Sequence, residues 1–141
     1  MKEPRWIDRR SLVLLHSETL AEHGGRSGIV DEGRLDSALA RPRQMFSYGR
    51  KHDLARLAAA YAVALVRNHP FVDGNKRAAF VAVGLFLGLN DFRLVADQVD
   101  AARNVLGLAA GEINEEQFAK WIRTHIKPGT RRGVAILRGH S

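Results

Sequence analysis

Apolar positions recur along this chain at helical spacing, and the alternating pattern of strands is nearly absent. Between Asp8 and Glu22, the residues Leu12, Leu15, Thr19 and Leu20 share a helical face, with Asp8 placed to cap the start and Gly24-Gly25 to stop it. Asp31 can cap a shorter helix through Leu39, ended by Pro42, and Pro42 to His52 reads as a looser stretch. Asp53 opens a helix over Leu54 to Arg67 in which 12 of 14 residues are apolar, a pattern that belongs in the centre of a fold. Asn75 to Leu89 is a second helix of this kind. Its Gly84 and Gly88 each cost about 1 kcal/mol of helix propensity relative to alanine, which fits either close packing against a neighbour or simple tolerance. Asn90 to Val95 predicts a turn and a short extended piece, and Gln98 to Ala109 a helix with Val99, Ala102, Val105, Leu106 and Ala109 in phase. Asn114-Glu115-Glu116-Gln117 is a good helix start, after which Phe118, Trp121, Ile122 and His125 fall on one side. The expectation is an all-α, single-domain bundle of about six helices over residues 1–126, then a basic tail over 127–141 set off by Pro128-Gly129.

Composition narrows the function classes. The 141 residues, 45% apolar and 26% charged, suit one soluble domain with a sizeable core. With no cysteine, disulfide frameworks, thiolate zinc sites and cysteine nucleophiles are excluded. The longest uncharged apolar run, Ala78 to Leu89, has 12 residues, short of the roughly 20 that a membrane-spanning helix needs. The charged start, Met1 to Arg10, is unlike an export signal, and the expected compartment is the cytoplasm. Of the net charge of +7, four cations (Lys127, Arg131, Arg132, Arg138) stand in the tail without acids. No groove-reading motif accompanies them, so direct nucleic-acid binding is not expected.

The chemistry concentrates between the two apolar helices. The junction Asn68-His69-Pro70-Phe71-Val72-Asp73-Gly74-Asn75-Lys76-Arg77 has seven residues of ten that are polar, charged or glycine. A loop between core helices must surface or line a cleft, because its backbone groups need partners. Gly74 lets N–H groups converge where the following helix aims its positive end, a ready anion site. Lys76 and Arg77 in that helix's first turn oppose the macrodipole, by about 0.3–1 kcal/mol each, and a bound polyphosphate reverses the penalty. Asp73 offers a hard oxygen ligand of the kind that holds Mg2+ beside phosphates, and His69 a group suited to taking a proton at neutral pH. Plainer roles fit each residue singly: a surface histidine, a core anchor at Phe71, a helix cap at Asp73, solvated cations at Lys76 and Arg77. The coincidence within nine residues favours the chemical reading. Walker A and Gly-x-Gly-x-x-Gly loops are both absent.

The run His69 to Arg77 resembles the signature of the Fic/Doc family, and its lysine variant is similar to that of the death-on-curing (Doc) toxins of bacterial toxin–antitoxin modules. Gly24-Gly25 and the segment Gly28 to Pro42 are similar to a stretch typical of Doc-like chains, so that the resemblance spans about residues 6 to 126. It implies His69 as the general base for a target hydroxyl, Asp73 as the residue positioning Mg2+, and Phe71 as the buried anchor. Gly74 and Asn75 would shape the anion hole, and Lys76 and Arg77 complete the nucleotide-binding set. Where the adenylylating Fic pattern has a glycine and a second arginine, this chain has Lys76 and Phe80. Those departures point to phosphoryl transfer from ATP; Pro70 and Gly74 match the Fic form better, so AMP transfer and an inactive regulatory domain stay open. The resemblance further implies elongation factor Tu as the protein substrate and a cognate antitoxin acting in trans. The self-inhibitory pattern Ser/Thr-x-x-x-Glu-Gly/Asn is absent. Met45, Phe46 and Tyr48 are candidates for the antitoxin groove or for loop anchors.

Overall fold

The computed structural model describes residues 2–48 and 52–129, and the basic tail expected beyond Gly129 lies outside them. Among the described residues there are six helices: α1 (Arg9–His23), α2 (Glu32–Ser47), α3 (Leu54–Asn68), α4 (Asn75–Leu89), α5 (Gln98–Ala109) and α6 (Glu115–His125). The start signals act as their chemistry dictates: the side chains of Asp8, Asp31, Asp53 and Asn114 each accept a first-turn backbone N–H of the helix they precede. Asn114 and Gln117 form a reciprocal capping box.

Helices α3 and α4 are the central pair, with α2 and α6 against α3 and α1 against α4. Every residue from Leu57 to Val66 is buried, as are most of Ala78 to Gly88. Their many alanines and the buried Gly84 and Gly88 leave thin surfaces on which neighbouring helices pack. Tyr61, Phe86, Phe118, Leu12 and Leu35 fill the core between helices.

Two departures from the expected bundle have identifiable causes. Helix α2 does not stop before Pro42 but runs through it to Ser47. Leu35, Ala38, Pro42, Met45 and Phe46 keep helical phase across the proline, and their burial against the core offsets an interior proline's cost of about 3 kcal/mol. Phe46 also meets the Trp6 ring edge-on at 5.7 Å. Met45 and Phe46 are thus packed helix residues rather than parts of a loose stretch, while Tyr48 is exposed. The second departure is a small antiparallel sheet, β1 (Phe92–Leu94) with β2 (Ile126–Pro128), in which Leu94 lies opposite Ile126 and Phe92 opposite Pro128. Lys127 and Pro128, placed in the tail by sequence, are a strand here, and the Gly129 N–H donates to the Asp91 carbonyl at 2.9 Å.

Polar latches tie the helices at their ends. Glu115 receives Arg41 from α2 at 2.7 Å and Arg56 from α3 at 3.3 Å. Arg123, near the end of α6, forks onto Asp53 with bonds of 2.6 and 2.9 Å. That hydrogen bond, ahead of the one from the Arg56 amide, holds the Asp53 carboxyl below the usual carboxylate range. A carboxyl with a lowered folded-state pKa contributes stability at neutral pH that is lost as pH falls through the folded value.

Asp53→Ala removes both the cap and the fork and is expected to destabilise the protein by about 1–2 kcal/mol at neutral pH. The deficit relative to wild type should shrink in acid, as Asp53 becomes protonated in the wild type. Urea unfolding at pH 7 and in acid checks this; equal stability of the two proteins at pH 7 contradicts it.

Candidate active site

The polar junction emerges where α3 ends. Pro70 disfavours the right-handed helical conformation for the residue before it, and His69 turns into the left-handed region (φ 49°, ψ 58°) as the helix C-cap. That turn brings the His69 side chain out to solvent. The next two residues go inward, and Phe71 is buried against the core.

Burying Phe71 takes its peptide groups from water, and Asn75 meets both. The Asn75 Oδ1 accepts the Phe71 N–H at 3.0 Å, and Nδ2 donates to the Phe71 carbonyl at 3.0 Å. Because a backbone N–H only donates and a carbonyl only accepts, this bracket fixes the amide's orientation. The Nδ2 then also faces His69 Nδ1 at 3.2 Å as a donor. In the neutral ring the proton therefore sits on Nε2.

Helix α4 starts at once, behind Gly74 in the left-handed region (φ 74°, ψ 30°) and with no side chain bonded to its first amides. Asp73 does not take the plainer role of capping this helix; it turns to the glycine loop after α1, where its Oδ2 accepts the Arg26 N–H at 2.8 Å. The α4 start is thus an uncapped cluster of N–H donors, with Lys76 exposed and Arg77 half-buried beside it. Two features favour glycine at 74: its φ is one that side-chain-bearing residues rarely adopt, and a Cβ there would stand 2.8 Å from His16 Cε1.

The segment before α2 forms the other wall. Ile29 pairs with Phe71 in an antiparallel bridge, with the Val30 N–H on the Pro70 carbonyl at 2.7 Å and the Val72 N–H on the Gly28 carbonyl at 3.0 Å. The Asn68 side chain donates to the Arg34 carbonyl at 3.0 Å, tying the end of α3 to the start of α2. Beside His69 lies an open cleft of about 580 Å3, lined by Asp31, Gly33, Arg34, Ser37, Arg67 and Asn68.

All the residues singled out from sequence, His69, Phe71, Asp73, Gly74, Asn75, Lys76 and Arg77, lie on this one loop and helix start. Sequence reasoning missed His16. From α1 it reaches under the loop, 2% exposed, with Nε2 3.0 Å from the Asp73 carbonyl and its ring 4.1 Å from that of Phe71. Burial holds its imidazole below the ordinary value, so the ring is neutral at pH 7. The available signal was its place between Leu12 and Leu20 on the buried stripe of α1.

Fold and site together define a helical domain carrying an exposed histidine next to an uncapped helix start, and the Fic/DOC family profile matches residues 6–87. The chain belongs to the Fic/Doc family. Within it, the chain is 34% identical over 119 residues to "Protein kinase doc" of Escherichia phage P1, covering 84% of this chain and 94% of that protein. It is 41% identical over 110 residues to "Toxin Doc" of Mycolicibacterium smegmatis, covering 74% and 80%.

The buried bracket yields a stability prediction. Phe71→Ala opens a cavity beneath the loop and is expected to cost about 3–5 kcal/mol. An unchanged urea midpoint would show that Phe71 is not an anchor.

Proposed function

We propose that this protein is a Doc-type toxin that transfers the γ-phosphoryl group of ATP to a hydroxyl of a translation factor, elongation factor Tu, in the cytoplasm, and is held in check by a cognate antitoxin. The observation that carries the reading is the exposed His69, held through Nδ1 by Asn75, next to the uncapped start of α4. Two relatives carry the names of a kinase and a toxin, which supports the direction.

In this reading the phosphates of ATP rest on the amides after Gly74, with Lys76 and Arg77 offsetting their charge. His69 takes the proton of the acceptor hydroxyl as its oxygen bonds to the γ-phosphorus, and the bond from phosphorus to the bridging oxygen breaks to release ADP. The neutral ring presents its lone pair at Nδ1, now engaged by Asn75. Taking a proton therefore requires the ring to leave that bond, at a net cost of about 0.5–1.5 kcal/mol.

Among the described residues no group of three or more His, Cys, Asp or Glu is gathered that could hold a metal by itself. Asp73, with one oxygen on the Arg26 amide, has a second with which to bind a cation, and this fits Mg2+ held by one carboxylate and phosphate oxygens. When bound, such an ion would neutralise charge on the phosphates.

Phosphoryl rather than AMP transfer is favoured by Phe80. In place of the second arginine of adenylylating members, this position holds an aromatic ring packed against the core.

The test is labelling of purified elongation factor Tu and of bacterial lysate with ATP carrying 32P at the γ or the α position, using wild type and His69→Ala. The expected result is label from the γ position alone, lost in a variant of unchanged melting temperature that no longer arrests growth. Label from the α position makes the protein an AMP transferase, and label from neither points to a regulatory domain.

A further inference from the structure

His16 contributes nothing to the loop's chemistry as described so far, yet it is one of two buried polar residues in the described core, the other being Asn75. Its hydrogen bonding is lopsided. The partner of Nε2 is a carbonyl, which only accepts, so Nε2 carries the proton and Nδ1 bears the lone pair. The Nδ1 is buried and has no hydrogen-bond partner. An apolar side chain of similar size would avoid that desolvation cost while filling the same space against Phe71. What only a donor at this position supplies is the bond to Asp73.

That bond has a directional consequence. The described chain has no cis peptides, and in a trans peptide the C=O and the following N–H point in opposite directions. With the Asp73 carbonyl drawn toward α1 at 3.0 Å, the Gly74 N–H must point away from α1. Glycine has little intrinsic preference between the two orientations of this peptide, so something outside it must choose. The His16 ring also stands where a Gly74 Cβ would be, and no other residue type at 74 could make the peptide rigid without displacing it.

We propose that His16 is a positioning residue of the anion site, fixing the Asp73–Gly74 peptide so that the Gly74 amide joins the α4 amides in donating hydrogen bonds to phosphate. The inference rests on the phosphate-binding reading above and adds to it a residue from another helix. His16 touches no substrate; it acts through the peptide it holds.

The experiment compares wild type with His16→Gln and His16→Leu. A glutamine amide can place an N–H near the imidazole Nε2, whereas leucine fills space without a donor. The first readout is the Gly74 amide resonance of nucleotide-free protein; the second is ATP affinity by calorimetry, set beside kcat at saturating ATP. For His16→Leu the Gly74 resonance should shift or broaden and ATP affinity fall about tenfold to hundredfold, the range for losing a hydrogen bond to a charged group. His16→Gln should keep the resonance near its wild-type position and the affinity within about threefold.

If His16→Leu leaves both readouts unchanged, or if glutamine and leucine impair them equally, the role is packing alone and the proposal fails. Should leucine prevent folding, His16→Met makes the same comparison with a more adaptable chain. If wild type binds no ATP, the phosphate-binding reading fails, and with it the proposed role in the anion site. An Asp73–Gly74 peptide that then still depends on the donor at 16 would identify His16 as a purely structural clamp.

Discussion

Everything in the site depends on how the backbone of one buried residue is kept hydrogen-bonded. Phe71 is driven into the core by its ring, and a loop residue buried between two helices has no ladder or helix to take up its N–H and C=O. The Asn75 carboxamide takes both, and in doing so it links the end of α3 to the first turn of α4. Left unmet, each group would cost about 1–3 kcal/mol, enough to expel the ring or open the loop. The orientation of that carboxamide then dictates which face it shows His69, so a requirement of folding sets the resting state of the candidate base.

Much of this was legible in the sequence. The two central helices announced themselves by apolar residues on all sides, and the start of α4 at Asn75 followed from Gly74. Helix caps at Asp8, Asp31, Asp53 and Asn114 read correctly because a cap is a local interaction, complete within four residues. Pro42 misled for the converse reason. Its local penalty is plain in the sequence, while the packing of Met45 and Phe46 that offsets it depends on α3 and on Trp6 near the start of the chain. The β1–β2 pairing likewise joins segments more than thirty residues apart, each too short for a periodic signal.

In the site, the residues on the continuous run were visible and those contributed from elsewhere were not. Asp73 reads as a metal ligand or a cap, and nothing in the glycine loop after α1 signals that the Arg26 amide bonds to it. His16 lies on a helix face where a histidine ordinarily signals nothing. Sequence spacing cannot show that α1 crosses beneath Gly74, since that geometry comes from the packing of α1 on α4.

Burial separates two kinds of work along the loop. Phe71 and Asn75 are buried and hold its shape, while His69, Val72 and Lys76 are exposed. The exposed group includes a cation at the positive end of a helix, an arrangement that destabilises α4 when no anion is present. It is tolerated because α4 is secured along most of its length by core contacts, from Ala78 to Gly88. A helix held so firmly along its body can leave its first amides uncapped without unravelling.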